Sequence, residues 1–191
     1  NVLIEGMDFN VGDDGIAIKS GRDQDGWRIG QATENVIIRD CHFARWAITI
    51  GSEMSGGVRN IYIEDCKIDS CRNGIYFKSN LDRGGYFENL NMRRIEADVC
   101  LWAVVNFRTD YHGYRGGNYP TKFRHITIED VTCNRVDSVA LMANGIPEAK
   151  LYDITLRNIK VKKAPKAMQM ENVVDLKLEN VEVNGEQVTQ P

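Results

Sequence analysis

No apolar stretch in these 191 residues approaches the length needed to cross a bilayer, so insertion into a membrane is not expected. Charge of one sign is missing too. The 24 basic and 27 acidic residues leave a net charge of −3 with no block of either sign, so no nucleic-acid partner is expected. Histidine is scarce, with three, and the five cysteines include no Cys-x-x-Cys pair, so neither a metal site nor a metal cofactor is expected. An odd cysteine count also argues against a complete disulfide framework, though one pair could form. The chain opens without an initiator Met or signal peptide, directly in the strand-like run Asn1-Val2-Leu3-Ile4, and closes on a polar tail without a capping helix. Both ends read as those of a piece of a longer protein.

What is present is a repeat. A polar residue followed by apolar residues at fixed offsets begins at Asn1, Asn35, Asn60, Asn89, His125, Asp153 and Asp175, at spacings of 22 to 36 residues. One column of the repeat reads Ile4, Ile38, Ile63, Met92, Ile128, Leu156 and Leu178. Another reads Met7, Cys41, Cys66, Ile95, Val131, Ile159 and Val181. Between them stand Gly6, Asp40, Asp65, Arg94, Asp130, Asn158 and Asn180, mostly residues that tolerate a tight bend. A second strand follows in most units, ending near Ser20, Ser52, Ser79, Arg108, Asn144 and Asn172, and no helical period competes with it. Variable-length coils that share apolar columns predict an all-β fold, a right-handed parallel β-helix forming one domain over residues 1–191. In that frame Cys41 and Cys66 are inward, unreactive thiols.

Inward columns are packing, so chemistry is sought on the outward surface, where neighbouring strands lie about 4.8 Å apart. Aligning the second strands on Ile16, Ile48 and Ile75 brings Asp13, Arg45 and Arg72 to one level, Ala17, Thr49 and Tyr76 to another, and Lys19, Gly51 and Lys78 to a third. The adjacent carboxylates of Asp13 and Asp14, framed by Gly12 and Gly15 at the mouth of a strand, fit a solvated Asp-Gly turn if taken alone. Set among cations and an aromatic ring, they fit an acid and base pair working on an acidic sugar chain. The insertion from Tyr111 and His112 to Pro120 is read equally as a wall of a sugar subsite or a flexible loop. Trp46 and Trp102, at the starts of equivalent strands, are read as sugar-stacking rings or as packing between coils.

The run Gly12-Asp13-Asp14-Gly15-Ile16-Ala17-Ile18-Lys19-Ser20-Gly21 resembles the central motif of the polygalacturonase family of glycoside hydrolases, family 28, whose usual form has Cys where Gly15 stands. Ile48-Thr49-Ile50-Gly51-Ser52-Glu53-Met54-Ser55-Gly56-Gly57 is similar to the family's next signature, and Phe77-Lys78-Ser79-Asn80 falls where its Arg-x-Lys motif ends. The resemblance implies a fragment of a catalytic domain with a pectin-lyase-like solenoid fold, truncated at its N-terminus, that hydrolyses pectic polysaccharide with inversion. It assigns Asp13 as the general acid, Asp14 as a carboxylate activating water, Lys78 as a contact to a substrate carboxylate, and Tyr111 as a neighbour of the cleaved sugar. A third aspartate is implied upstream of Asn1. Inverting enzymes hold acid and base roughly 6.5 to 9.5 Å apart to admit the water. The resemblance further implies no cofactor, a monomer, and a secreted or periplasmic location.

Two departures bear on substrate. Arg45 stands at the family's histidine position and Tyr76 at its arginine position, and a phenol does not replace a bidentate clamp. Altered specificity within pectic, uronic-acid-containing chains is expected, with Arg45, Tyr76, Lys78, Tyr111 and His112 as substrate contacts. Two alternatives stay open: a catalytically inactive carbohydrate-binding β-helix, and a polysaccharide lyase, for which Asp13 and Asp14 alone are thin calcium ligation.

Overall fold

The computed structural model describes residues 1–189. The first coil supplies strands β1 (Val2–Glu5), β2 (Asp8–Phe9) and β3 (Ile16–Ile18), followed by a short helix, α1 (Asp23–Ile29). The second supplies β4 (Thr33–Arg39), β5 (His42–Phe43) and β6 (Ile48–Gly51). In the third and fourth coils pairing resumes directly on either side of each bend, giving the long strands β7 (Val58–Lys78) and β8 (Tyr86–Arg108). Strands β9 (Lys122–Val136), β10 (Val139–Asn144), β11 (Ile154–Val161), β12 (Lys166–Glu171) and β13 (Leu176–Val183) complete the stack, and β14 (Glu186–Gln187) folds back antiparallel on β13.

Each coil pairs in parallel with the next. Ile4 registers with Ile38, Ile38 with Ile63, Ile63 with Met92, Met92 with Ile128, Ile128 with Leu156 and Leu156 with Leu178, the expected column. On the second-strand face Ile16, Ile48, Ile75, Val105 and Leu141 register in turn, across β3, β6, β7, β8 and β10. The architecture is therefore the right-handed parallel β-helix that the repeat predicts. Ile38, Ile63, Met92 and Ile128 are fully buried. Ile4 and Leu178, in the first and last described coils, are only partly so, and Met7 is exposed.

The bend column has a backbone reason. Gly6, Asp40, Asp65, Arg94, Asp130, Asn158 and Asn180 all adopt φ between 51° and 63°, the left-handed region, as do Asn35, Asn60, Asn89, His125 and Asp153 at the preceding bend. Asn and Asp are enriched there because their side chains hydrogen-bond locally. Here they also bond from coil to coil: Asn60 Nδ2 donates to Asn35 Oδ1 at 3.0 Å and Asn89 Nδ2 to Asn60 Oδ1 at 2.8 Å. Inside, Phe77 stacks on Phe107 with centroids 4.4 Å apart, and Phe87 and Phe123 continue the aromatic column. All five cysteines are free and buried, and burial pushes the Cys66 thiol up to about 12, as expected of unreactive packing groups.

Helix α1 is the element that the repeat does not announce. Its seven residues include Gly26, which lies against Gly21 and Ser55 so closely that a Cβ would sit 2.6 Å from the Ser55 Cβ. Tertiary contact, not helical propensity, holds it in place. Asp23 at its start is buried and accepts from Arg83 Nη1 at 2.6 Å and from Arg115, while its own N–H donates to Ser55 Oγ at 2.7 Å.

Candidate active site

Residues 12–15 form a turn docked on the next coil. Gly15 N–H donates to the Ala47 carbonyl at 2.9 Å, and a Cβ at position 15 would stand 2.5 Å from the Trp46 carbonyl oxygen and 2.8 Å from the Phe43 ring. Glycine at this position is thus a steric requirement of the Phe43 to Ala47 backbone, which accounts for the absence of the larger residue usual in the resembled motif. The turn presents Asp13 and Asp14 to a cavity of about 260 Å³. Asp13 is exposed, and among the described residues its Oδ1 accepts only the N–H of Asp14, at 2.8 Å. Asp14 is gripped: Thr49 Oγ1 donates to its Oδ1 at 2.6 Å and Lys78 Nζ to its Oδ2 at 3.0 Å. Two neighbouring carboxylates therefore have different surroundings, the condition for dividing acid and base roles between them.

The opposite wall comes from later coils. Lys78 Nζ lies 5.2 Å from the Tyr76 ring centroid and 5.4 Å from that of Tyr111, between two aromatic faces. Burial above all, with the nearby Tyr111, pushes the Tyr76 phenol up to about 12 against the opposing pull of Arg108, so it remains a neutral hydroxyl. Arg108, which registers with Lys78 one coil on, is held by a fork of two bonds to Asp110, both 2.8 Å, and this contact raises its pKa.

Tyr111 and His112 do line the cavity, with rings 4.0 Å apart, and the insertion that carries them is anchored. Asn80 Nδ2 donates to the carbonyls of Tyr111 and His112 at 3.2 and 3.3 Å, and Asp82 accepts the N–H groups of Arg115 and Gly117 at 2.7 and 2.8 Å. The Arg115 contact to Asp23 and the packing of Trp27 on Tyr119, 4.3 Å between centroids, tie it to helix α1. These contacts argue against the flexible-loop reading: the insertion is anchored, and its Tyr111 and His112 wall the cavity.

Of the residues singled out in the sequence, Asp13, Asp14, Tyr76, Lys78, Tyr111 and His112 converge on one cavity. Arg45 does not: it lines a second, open depression of about 370 Å³ with Trp46, Arg72 and Trp102. Lys19, aligned with Lys78 by sequence, turns away to pair with Glu53 at 3.0 Å. Asn73, Arg108 and Asp110 also line the cavity. Only the side-by-side stacking of strands would have brought them to notice. Among the described residues, no group of three or more His, Cys, Asp or Glu is placed to hold a metal ion, and no helix is long and apolar enough to cross a membrane.

The sequence pattern of glycosyl hydrolases family 28 matches residues 1–185. The chain belongs to this family. It is similar to a probable polygalacturonase of Vitis vinifera, 32% identical over 178 residues, which covers 89% of this chain and 36% of that protein. An endo-polygalacturonase of Pectobacterium parmentieri is 28% identical over 180 residues, covering 91% of this chain and 40% of that one. Among solved structures, a hyperthermoactive exopolygalacturonase from Thermotoga maritima superposes with a TM-score of 0.88 at 30% identity, over 96% of this chain and 42% of that one. A polygalacturonase from Erwinia carotovora shares the fold, with a TM-score of 0.75 at 22% identity, over 92% of this chain and 43% of that one. This family 28 chain thus spans about two-fifths or less of the length of the relatives it matches.

Proposed function

We propose that this chain is the site-bearing part of a longer catalytic domain that hydrolyses pectic, uronic-acid-containing polysaccharide with inversion at the anomeric carbon. The observation that carries this reading is the convergence of Asp13, Asp14, Lys78, Tyr76, Tyr111 and His112, drawn from three coils, on one cavity in a family 28 β-helix. Asp13, exposed and only lightly held, gives its proton to the leaving glycosidic oxygen. Asp14, in concert with a carboxylate from the rest of the domain, takes a proton from the attacking water. Lys78, beside Asp14 and between two aromatic rings, holds the negative charge of the sugar.

Specificity differs from that for plain polygalacturonate in this reading. Tyr76 offers a neutral hydroxyl where the family carries an arginine, and the fork of neighbouring Arg108 is already occupied by Asp110. Arg45, at the histidine position, lies outside the acid pair's cavity. A branched or mixed chain, such as one with rhamnose, is therefore the preferred substrate. The protein acts as a monomer, secreted or periplasmic.

The test is a polysaccharide panel with the full-length protein and its Asp13→Asn variant. Hydrolysis of mixed pectic chains, with turnover reduced by several orders of magnitude in Asp13→Asn while substrate still binds, is expected. Near-normal turnover in that variant would remove Asp13 from the acid role, and strong preference for unbranched polygalacturonate would contradict the specificity reading. An unsaturated product would point instead to a lyase.

A further inference from the structure

Strands β7 and β8 lose register at one point. Cys71 pairs with Cys100 and Asn73 with Ala103, so Arg72 alone faces both Leu101 and Trp102. Such a bulge re-aims side chains. Its effect here is to lay the Arg72 guanidinium over the Trp102 ring, with Cζ 3.5 Å from the ring centroid. A guanidinium stacked by its face keeps its N–H donors free at the edge, in the plane where a carboxylate binds bidentately. Among the described residues Arg72 forms no ion pair, whereas the cavity's other basic side chains are engaged, Lys78 by Asp14 and Arg108 by Asp110. Arg72, Trp102 and Trp46 line both the acid-pair cavity and the open depression that continues to Arg45. Trp102 is 36% exposed and Leu101 beside it 48%, so the stack meets solvent where the two hollows join.

We propose that the Arg72–Trp102 stack is a sugar subsite of its own, which recognises the carboxylate of a uronic acid at the end of the cavity away from Lys78. This rests on the glycosidase reading for its substrate class. Arg72 supplies the bidentate clamp, Trp102 holds it in place, and Trp46 with Arg45 continues the surface toward the following sugar. The acidic unit selected by this protein is then the one lying over the bulge, a requirement separate from the contacts around Lys78.

The experiment compares tri-galacturonate with its methyl ester, which keeps the sugar and removes the charge. In the full-length protein, Arg72→Gln should lower the acid-to-ester ratio of kcat/KM by about 10- to 100-fold, mainly through KM, and Trp102→Leu should move it in the same direction. The same two ligands are titrated calorimetrically into full-length Asp13→Asn and into Asp13→Asn with Arg72→Gln, a comparison that does not depend on turnover. A preference for the acid that falls with Arg72→Gln supports the subsite even if no pectic chain is hydrolysed, an outcome that would count only against the glycosidase reading. An unchanged preference, no preference in the Asp13→Asn protein, or an equal loss of both ligands would overturn it.

Discussion

Lys78 donates to Asp14 across an intervening coil, with Nζ 3.0 Å from Oδ2, although the two residues are 64 apart in the chain. Thr49 of the middle coil donates to the other oxygen of the same carboxylate, so three successive coils meet at Asp14. Parallel stacking makes this possible: strands about 4.8 Å apart put outward side chains two coils away within reach of a lysine.

Removing that ammonium should affect chemistry more than folding. Lys78→Met in the full-length protein is expected to lower kcat/KM by about 10- to 100-fold, the loss of one charge-assisted hydrogen bond, with Lys78→Arg recovering part of it. Steady-state kinetics on a pectic oligosaccharide check this. Equal values for Lys78→Met and wild type would separate Asp14 from its partner.

Asp23 is the structural counterpart. It and Arg83 are 4% and 3% exposed, and Asp23→Ala would leave the Arg83 charge buried without its carboxylate. A loss of about 3 to 5 kcal/mol is expected from urea unfolding. Arg115→Ala, at the exposed end of the same cluster, should cost far less but make residues 111–120 more susceptible to limited proteolysis.

His42 lies between Asp69 and Asp8, each 2.9 Å away, and these contacts, Asp69 first, raise its pKa. A raised folded-state pKa means that its stabilising effect is complete below about pH 6.5, the unfolded value, and lost as pH climbs through the folded value. The Tm difference between wild type and His42→Gln should therefore be larger at pH 5 than at pH 9. Because the ring is well exposed the effect is small, and a difference that grew with pH would refute the assignment.

Phe107 is buried and stacked on Phe77 in the aromatic column. Phe107→Ala should destabilise by about 3 to 5 kcal/mol and Phe107→Leu by much less, measured by the same urea titration. Similar costs for both would mean that the site collapses around the deletion.

The β-helix was legible in the sequence because each coil repeats the same local conditions: an apolar residue at Ile38 or Ile63, then a residue at Asp40 or Asp65 that accepts left-handed φ. Local rules repeated in this way write themselves into periodicity, and the outward levels of Asp13, Tyr76 and Lys78 follow from register. Helix α1 and the anchoring of the 111–120 insertion were not legible, since both depend on the buried Asp23 and its two arginines from distant loops. Arg45 and Lys19 point away from the acid pair for a related reason. Alignment puts Cα atoms in line, but a long side chain turns toward its nearest partner or hollow, as Lys19 does to Glu53. The Arg72–Trp102 stack depends on one extra residue in β8 relative to β7, a shift that appears only when the two strands are paired. Periodicity determines which residues face inward, and only the packed coils decide which outward residues meet, because that depends on side-chain reach and on bulges that no period records.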